Sequence, residues 1–302
     1  MKKTTLVAAA IAAASVLTLS ACGGDPLNSS TDQSGSSGSQ IIIGSADFTE
    51  SQLVGEIYAQ ALQSKGVAVK TQFNIGSREV YFTALKDSSI DLVPEYTGAL
   101  LKYLDEKSTA STSQAVDAEL TQKLPEGIVG LTPSPAEDKD AICVTQDTAS
   151  KYKLAKVSDL APVGGELALG AAPEFKTRVQ GVVGLKDVYG VTFKNFVPLD
   201  AGGTLTMNAL TSGQVQAANL FTTDPGIAKN KLVALTDDKS LFSAQNVLPV
   251  IKKSKQTDTV TTTLNAVSAK LTTTDLIALN GQAADGTKPA DIAKQWLAAH
   301  PV

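Results

Sequence analysis

Ile41-Ile42-Ile43-Gly44-Ser45-Ala46-Asp47-Phe48-Thr49-Glu50-Ser51-Gln52-Leu53-Val54 decides the fold: a short β-branched run closed by glycine leads at once into an amphipathic helix. Thr49 is placed to cap that helix with Gln52 as its capping-box partner, Leu53, Val54, Ile57, Ala61 and Leu62 share one face, and Gly66 stops it. Working outward, Val67, Val69, Thr71, Phe73 and Ile75 alternate as a second strand. Ser77 can cap a second helix through Leu85, Ile90 to Val93 make a third strand, and Thr97 can cap the next helix. The order β-α-β-α-β predicts an α/β architecture with a parallel sheet covered by helices, and places a ligand at the loops beyond the carboxyl ends of the strands. Those loops are Ser45 to Glu50, Gly76 to Glu79 and Pro94 to Gly98.

All three loops bring polar groups and a helix N-terminus to one rim, where amide dipoles favour an anion or a polar ligand. The bland alternative is that Thr49, Ser77 and Thr97 only cap their helices. Arg78 and Glu95, set beside two of them, tilt the reading toward a ligand rim.

Upstream, Lys2 and Lys3 precede an apolar run that ends in Leu19-Ser20-Ala21-Cys22. This is the layout of a lipoprotein export signal over 1–21, too short to span a bilayer. A plain signal with a chance cysteine is the alternative. Acylation of Cys22 would place the protein on the extracytoplasmic face of a bacterial cell membrane, held by two or more acyl chains. Residues 22–40 then form a Gly/Ser-type tether reaching roughly 20 to 25 Å. About 260 residues remain, enough for a large core and close to the size at which a chain divides into lobes. The net charge of −4, with signs interspersed, gives no basic stripe for nucleic acid. Cys143 is the only cysteine left in the body and sits in an apolar run, which reads as a buried, inert thiol.

Four segments together resemble one known family: Gly44 to Glu50, Asn74 to Glu79, Ile90 to Gly98, and Phe221-Thr222-Thr223-Asp224-Pro225. They are similar to the extracytoplasmic substrate-binding proteins of osmoprotectant ABC importers, from about Ile41 to the C-terminus. The resemblance implies a type II periplasmic-binding-protein-like fold of two α/β lobes joined by two crossing strands. It implies closure over a quaternary ammonium solute such as glycine betaine, choline or carnitine, delivery to ABC permease membrane subunits, and a monomer without cofactor or metal. Lobe I is expected over 41–141 and 222–302 and lobe II over 142–221. Ala141 to Val144 forms the first crossing, and Val215 to Phe221 returns the chain. Asp200 to Thr204 is read as a helix entry, since it lacks the spacing of a nucleotide loop. Lone Trp296, four residues from His300, is read as packing.

A trimethylammonium group has no hydrogen to donate, so aromatic faces and nearby carboxylates must hold it. The family's cage tyrosine before the first crossing is absent here, where the chain reads Pro133 to Asp138, and Phe221 stands where tyrosine is common. Tyr96, Phe221, Phe175 and Tyr81 are the remaining aromatic candidates, so the cage reads as incomplete. Asp47, Glu50, Glu95, Asp138 and Asp224 are the candidate acids, with Thr49, Ser77, Thr97 and Thr223 as polar neighbours. The only two arginines, Arg78 and Arg178, lie in family-like segments and suit bidentate carboxylate recognition. Structural pairing of Arg78 with Glu79 or Glu95 is the rival. Other readings are a receptor of the same class for a different small polar solute, a tethered adhesion or scaffold protein, and a two-carboxylate hydrolase. The chain has a single histidine and no metalloprotease, serine-hydrolase or zinc motif, which argues against an enzyme.

Overall fold

The computed structural model describes residues 40–302; the expected export segment, Cys22 and the tether as far as residue 39 lie outside the described residues. Strand β1 (Ile41–Gly44) pairs parallel with β2 (Val69–Gln72) and with β3 (Leu92–Tyr96), and helices α1 (Thr49–Ser64) and α2 (Arg78–Lys86) are the crossovers. This is the alternation expected from the sequence. Helix α1 buries Leu53, Val54, Ile57, Ala61 and Leu62 and is followed by Gly66 at φ +78°, the left-handed turn that ends it. Each fully buried Leu or Ile of that stripe contributes about 1.5–3 kcal/mol.

Helices α3 (Thr97–Leu104) and α4 (Ser113–Lys123) and strand β4 (Ile128–Gly130) complete the first pass through lobe I. The second lobe comprises β5 (Asp140–Val144), α5 (Gln146–Tyr152), β6 (Ala168–Ala171), α6 (Val182–Tyr189), β7 (Asn195–Pro198), α7 (Thr204–Thr211), β8 (Ala217–Phe221), α8 (Pro225–Lys229) and β9 (Val233–Ala234). Strand β10 (Val247–Lys252) then returns to the first sheet, and α9 (Asp258–Lys270), α10 (Thr273–Ala284) and α11 (Pro289–Ala299) pack on α1. The two five-stranded sheets run β2-β1-β3-β10-β4 and β7-β6-β8-β5-β9. Each is mixed, because β10 is antiparallel to β3 and β5 is antiparallel to β8.

Two crossing segments join the lobes, side by side and antiparallel: Glu137 bridges Asn246, and the Asp138 amide donates to the Gln245 carbonyl at 3.1 Å. This moves both expected boundaries. Strand β5 already belongs to the second sheet, and β8, expected to carry the chain back, is that sheet's middle strand. The return falls between β9 and β10, because β9 closes the far edge of β5 at Cys143↔Ala234 and Val144↔Val233. Phe221, Thr223 and Asp224 therefore stand on the lobe II side.

Strand β3 also runs further than expected and takes in Pro94, whose register partner on β10 is Pro249. Neither proline has an N–H to give, and a facing pair between antiparallel strands need not exchange one. The expected caps differ as well. Thr49 and Thr97 are the first residues inside their helices, and Phe48 and Tyr96 occupy the preceding positions with no side-chain cap. Thr97 is instead tied to the second crossing, its hydroxyl accepting from the Asn246 amide at 3.0 Å. Ser77 does precede α2, but its hydroxyl donates to Glu79 Oε2 at 2.6 Å. Gly98 lets α3 press against that crossing; a Cβ there would lie 2.4 Å from the Ala244 carbonyl oxygen. Cys143 is buried, and burial pushes its thiol up to about 12, with the Asp224 charge adding to it. Trp296 is buried and stacks on His300 at 4.5 Å.

Candidate ligand-binding site

The carboxyl ends of β1, β2 and β3 face those of β6 and β8 across the crossings, and two chambers open between them. The inner one is a cavity of about 70 Å³. Five aromatic residues line it: Phe48, Tyr81, Tyr96, Phe175 and Phe221. The outer one, about 400 Å³, is lined by the acids Asp47, Glu50, Asp138, Asp200 and Asp224 and by Thr49 and Thr223 among others, with no basic residue. Phe48 and Phe221 border both chambers, their rings 5.1 Å apart across the cleft, and Tyr96 stands 5.9 Å from Phe48.

Lobe I supplies a rigid charged floor. Glu95 has no exposed surface and accepts from Arg78 Nε at 3.0 Å, Arg78 Nη2 at 2.9 Å, the Tyr81 hydroxyl at 2.9 Å and the Tyr96 amide at 3.1 Å. Burial alone would lower the Arg78 guanidinium, but the Glu95 charge outweighs it and holds it protonated. Arg78 thus has the structural partner that its rival reading named, and its fork still borders the inner cavity. The same bonds aim Tyr81, because its hydroxyl is consumed beneath while its ring faces the cavity.

Beside that floor lies a second buried cluster. The Glu50 carboxylate accepts from the Tyr96 hydroxyl at 2.7 Å, the Thr223 hydroxyl at 2.5 Å and Asn280 Nδ2 at 2.6 Å. Thr223 belongs to the lobe II side, so Glu50 ties the lobes together. Asp138, on the first crossing, accepts from the Thr223 amide and the Thr222 hydroxyl, both at 3.1 Å. Burial raises both carboxyls, and the Glu50 charge raises Asp138 further; two carboxyls out of water favour a state in which the pair keeps a proton. Across the mouth, Arg178 Nε and Nη2 donate to the two oxygens of Glu79 at 3.1 and 3.0 Å, a second contact between lobes.

Of the sequence candidates, Asp47, Ser77, Arg78, Tyr81, Tyr96, Asp138, Phe175, Arg178 and Phe221 line the inner cavity, and Thr49, Glu50, Thr223 and Asp224 line the outer chamber. Glu95 and Thr97 line neither: one lies beneath Arg78 and the other against Ala244 and Asn246. Asp224 also caps α8, accepting from the Gly226 amide at 2.7 Å. Sequence reasoning missed Phe48, although it stands in a quoted loop; an apolar residue between Asp47 and Thr49 was its one signal. It missed Gln180, Asn219, Gln245 and Asn280, isolated amides that follow no pattern. Among the described residues no group of three or more His, Cys, Asp or Glu side chains is arranged to hold a metal ion. No described helix is long and apolar enough to cross a membrane.

Two α/β lobes on a pair of crossing segments, with an aromatic cavity at their junction, define a two-lobed solute-binding protein. The chain belongs to the family described as the substrate binding domain of ABC-type glycine betaine transport system, which matches residues 39–299. It is 30% identical over 274 residues to the glycine betaine-binding protein YehZ of Escherichia coli strain K12, covering 86% of this chain and 90% of that protein. It is 30% identical to the carnitine transport binding protein OpuCC of Listeria monocytogenes, covering 87% of each. A solved structure described as a glycine betaine/carnitine/choline ABC transporter superposes with a TM-score of 0.68 at 26% identity, covering 86% of this chain and 98% of that one. The protein is accordingly the extracytoplasmic binding component of an ABC importer, a family of transport proteins and not of enzymes.

Proposed function

We propose that the inner cavity holds a quaternary ammonium osmoprotectant of the glycine betaine, choline or carnitine type and that the protein delivers it to ABC permease membrane subunits. The observation that carries this is the group of five aromatic residues around one small cavity at the lobe junction. A trimethylammonium group is attracted by ring faces, and each well-placed ring contributes about 0.5–2 kcal/mol. The acid-lined outer chamber draws a cation toward them through Coulomb attraction. The ligands for which the relatives are named, glycine betaine and carnitine, fall in this class. Solute enters between parted lobes, contacts from both favour closure, and the ligand shifts an existing open-to-closed equilibrium. Acylated Cys22 and the tether hold the monomeric receptor at the membrane, which places it within reach of its permease.

Calorimetric titration of residues 41–302 with glycine betaine, choline and carnitine, with proline and polyols as controls, tests the reading. Saturable binding of a quaternary amine is expected, weakened roughly 2- to 30-fold by Phe48→Ala, Tyr96→Ala or Phe221→Ala. Binding of a control alone, or of none of them, overturns the ligand class.

A further inference from the structure

Almost every side-chain donor that faces the inner cavity is already engaged by a protein carboxylate. Arg78 and the Tyr81 hydroxyl donate to Glu95, Tyr96 donates to Glu50, and Arg178 and Ser77 donate to Glu79. Asn219 and Gln245 both donate to Asp140, at 3.0 and 3.2 Å. Gln180 is the exception. It lines the same cavity, the residue is 6% exposed, and its Nε2 is buried with no hydrogen-bond partner among the described residues. A buried amide donor without an acceptor is rare in folded proteins and asks for a reason.

The position is held firmly by its neighbours. Gly181 donates to the Arg178 carbonyl at 2.9 Å, and a Cβ on Gly181 would fall 1.8 Å from the Phe175 carbonyl oxygen. The backbone of the turn that carries Phe175, Arg178 and Gln180 is therefore closely packed, and it sets the point from which Gln180 enters the cavity lining. A quaternary ammonium group gives Gln180 nothing to bond, since it has no lone pair. An oxygen at the other end of such a solute does. Arg78 and Arg178 border the cavity with Gln180, but each is paired with a glutamate and the cavity also carries Asp47, Asp138, Asp140 and Glu174, so a directed hydrogen bond from Gln180, and not a net positive field, is what favours an oxygen there.

We propose that Gln180 reads the tail of the bound solute, donating its Nε2–H to an acceptor oxygen, and that the site therefore prefers a trimethylammonium carboxylate over a trimethylammonium alcohol or an ammonium with no acceptor. This rests on the quaternary ammonium reading above and sharpens it to a zwitterion. Aromatic rings hold the cationic head, and Gln180 holds the anionic tail. A hydrogen bond to a charged acceptor sets the size of the effect.

The test titrates the wild-type protein, Gln180→Leu and Gln180→Glu with glycine betaine, choline and tetramethylammonium. Gln180→Leu, which keeps the volume and removes the donor, is expected to weaken glycine betaine about 10- to 100-fold, choline less, and tetramethylammonium hardly at all. Gln180→Glu is expected to weaken glycine betaine further still and to leave or improve tetramethylammonium binding, a pattern that misfolding cannot produce. Equal losses for all three ligands, or no loss for glycine betaine, overturn the role of Gln180 and leave the receptor reading intact. Failure of the wild-type protein to bind any of the three overturns both.

Discussion

The floor of the cleft and its mouth each carry an arginine in a two-pronged bond to a glutamate, and the two pairs differ in burial and in whether the bond crosses between the lobes. In Arg78–Glu95 the side chains are 9% and 0% exposed and both partners belong to lobe I. In Arg178–Glu79 they are 30% and 43% exposed and the bond crosses from lobe II to lobe I. The first cannot break without leaving a charge out of water, so it serves as scaffold beneath Tyr81 and Tyr96. The second exchanges its partner for water at little cost, which is what a contact that must part for solute entry requires.

The comparison is broken most directly at Glu95. Glu95→Ala leaves the Arg78 guanidinium and the Tyr81 hydroxyl buried without an acceptor and is expected to cost about 3–5 kcal/mol of stability. For a body of this size that lowers the melting temperature by roughly 6–20 °C. Thermal unfolding of the variant beside Arg178→Ala checks it; equal shifts for the two would show that burial does not separate the pairs.

How far this contrast could be read in advance depends on which residues follow a period. The α1 stripe from Leu53 to Leu62 was legible because a helix facing a core must repeat every three to four residues. So was the strand Ala141 to Val144, a run of apolar residues in a central strand. The lobe boundary was not, because 222–242 is kept with lobe II by the two-residue strand Val233–Ala234, too short to carry an alternation, and by scattered contacts of Leu235, Leu241 and Phe242 with that lobe's core. Glu95 was expected on the rim because Pro94 normally marks the end of a strand, whereas facing Pro249 it stays inside one. Asn280 reaches Glu50 from 230 residues away, and no local signal announces a partner at that distance. The two arginines stood out as the only ones in the chain, but nothing in the sequence says that one would be buried and the other would span the cleft.

Between those extremes stands the Glu50–Asp138 cluster, buried like the floor yet spanning the lobes like the mouth. Burial raises both carboxyls above their ordinary values, with the Glu50 charge acting further on Asp138. A group raised in the folded state contributes stability that is complete below its unfolded value and is lost as pH rises through its folded value. Stability should therefore fall with pH above the ordinary carboxylate range, as unfolding releases protons that the native pair retains. Asp138→Asn is expected to flatten that limb by about one proton per molecule. Denaturant unfolding measured across the acid to neutral range reads the slope; an unchanged slope would mean that the pair is ionised in the folded protein.

The smallest effect belongs to the mouth. Burial would raise the Glu79 carboxyl, but the bonds from Arg178 and Ser77 outweigh it and bring it down to about 2. A group lowered in this way contributes above its unfolded value and loses its contribution as pH falls toward that figure, so at neutral pH the pair is fully formed. Even so, its exposure to water and salt limits it to about 0–1 kcal/mol. Arg178→Gln should leave thermal stability almost unchanged and shift the balance of open and closed forms by no more than roughly fivefold. Adding salt to the wild-type protein should move the same balance in the same direction, and should move it less in the variant, where no charge pair is left to screen. The scattering radius of the ligand-free protein across a salt series measures both. A variant that responds to salt as strongly as the wild type would take the ionic contact out of closure and leave Glu50, Thr223 and Asn280 to hold the lobes together.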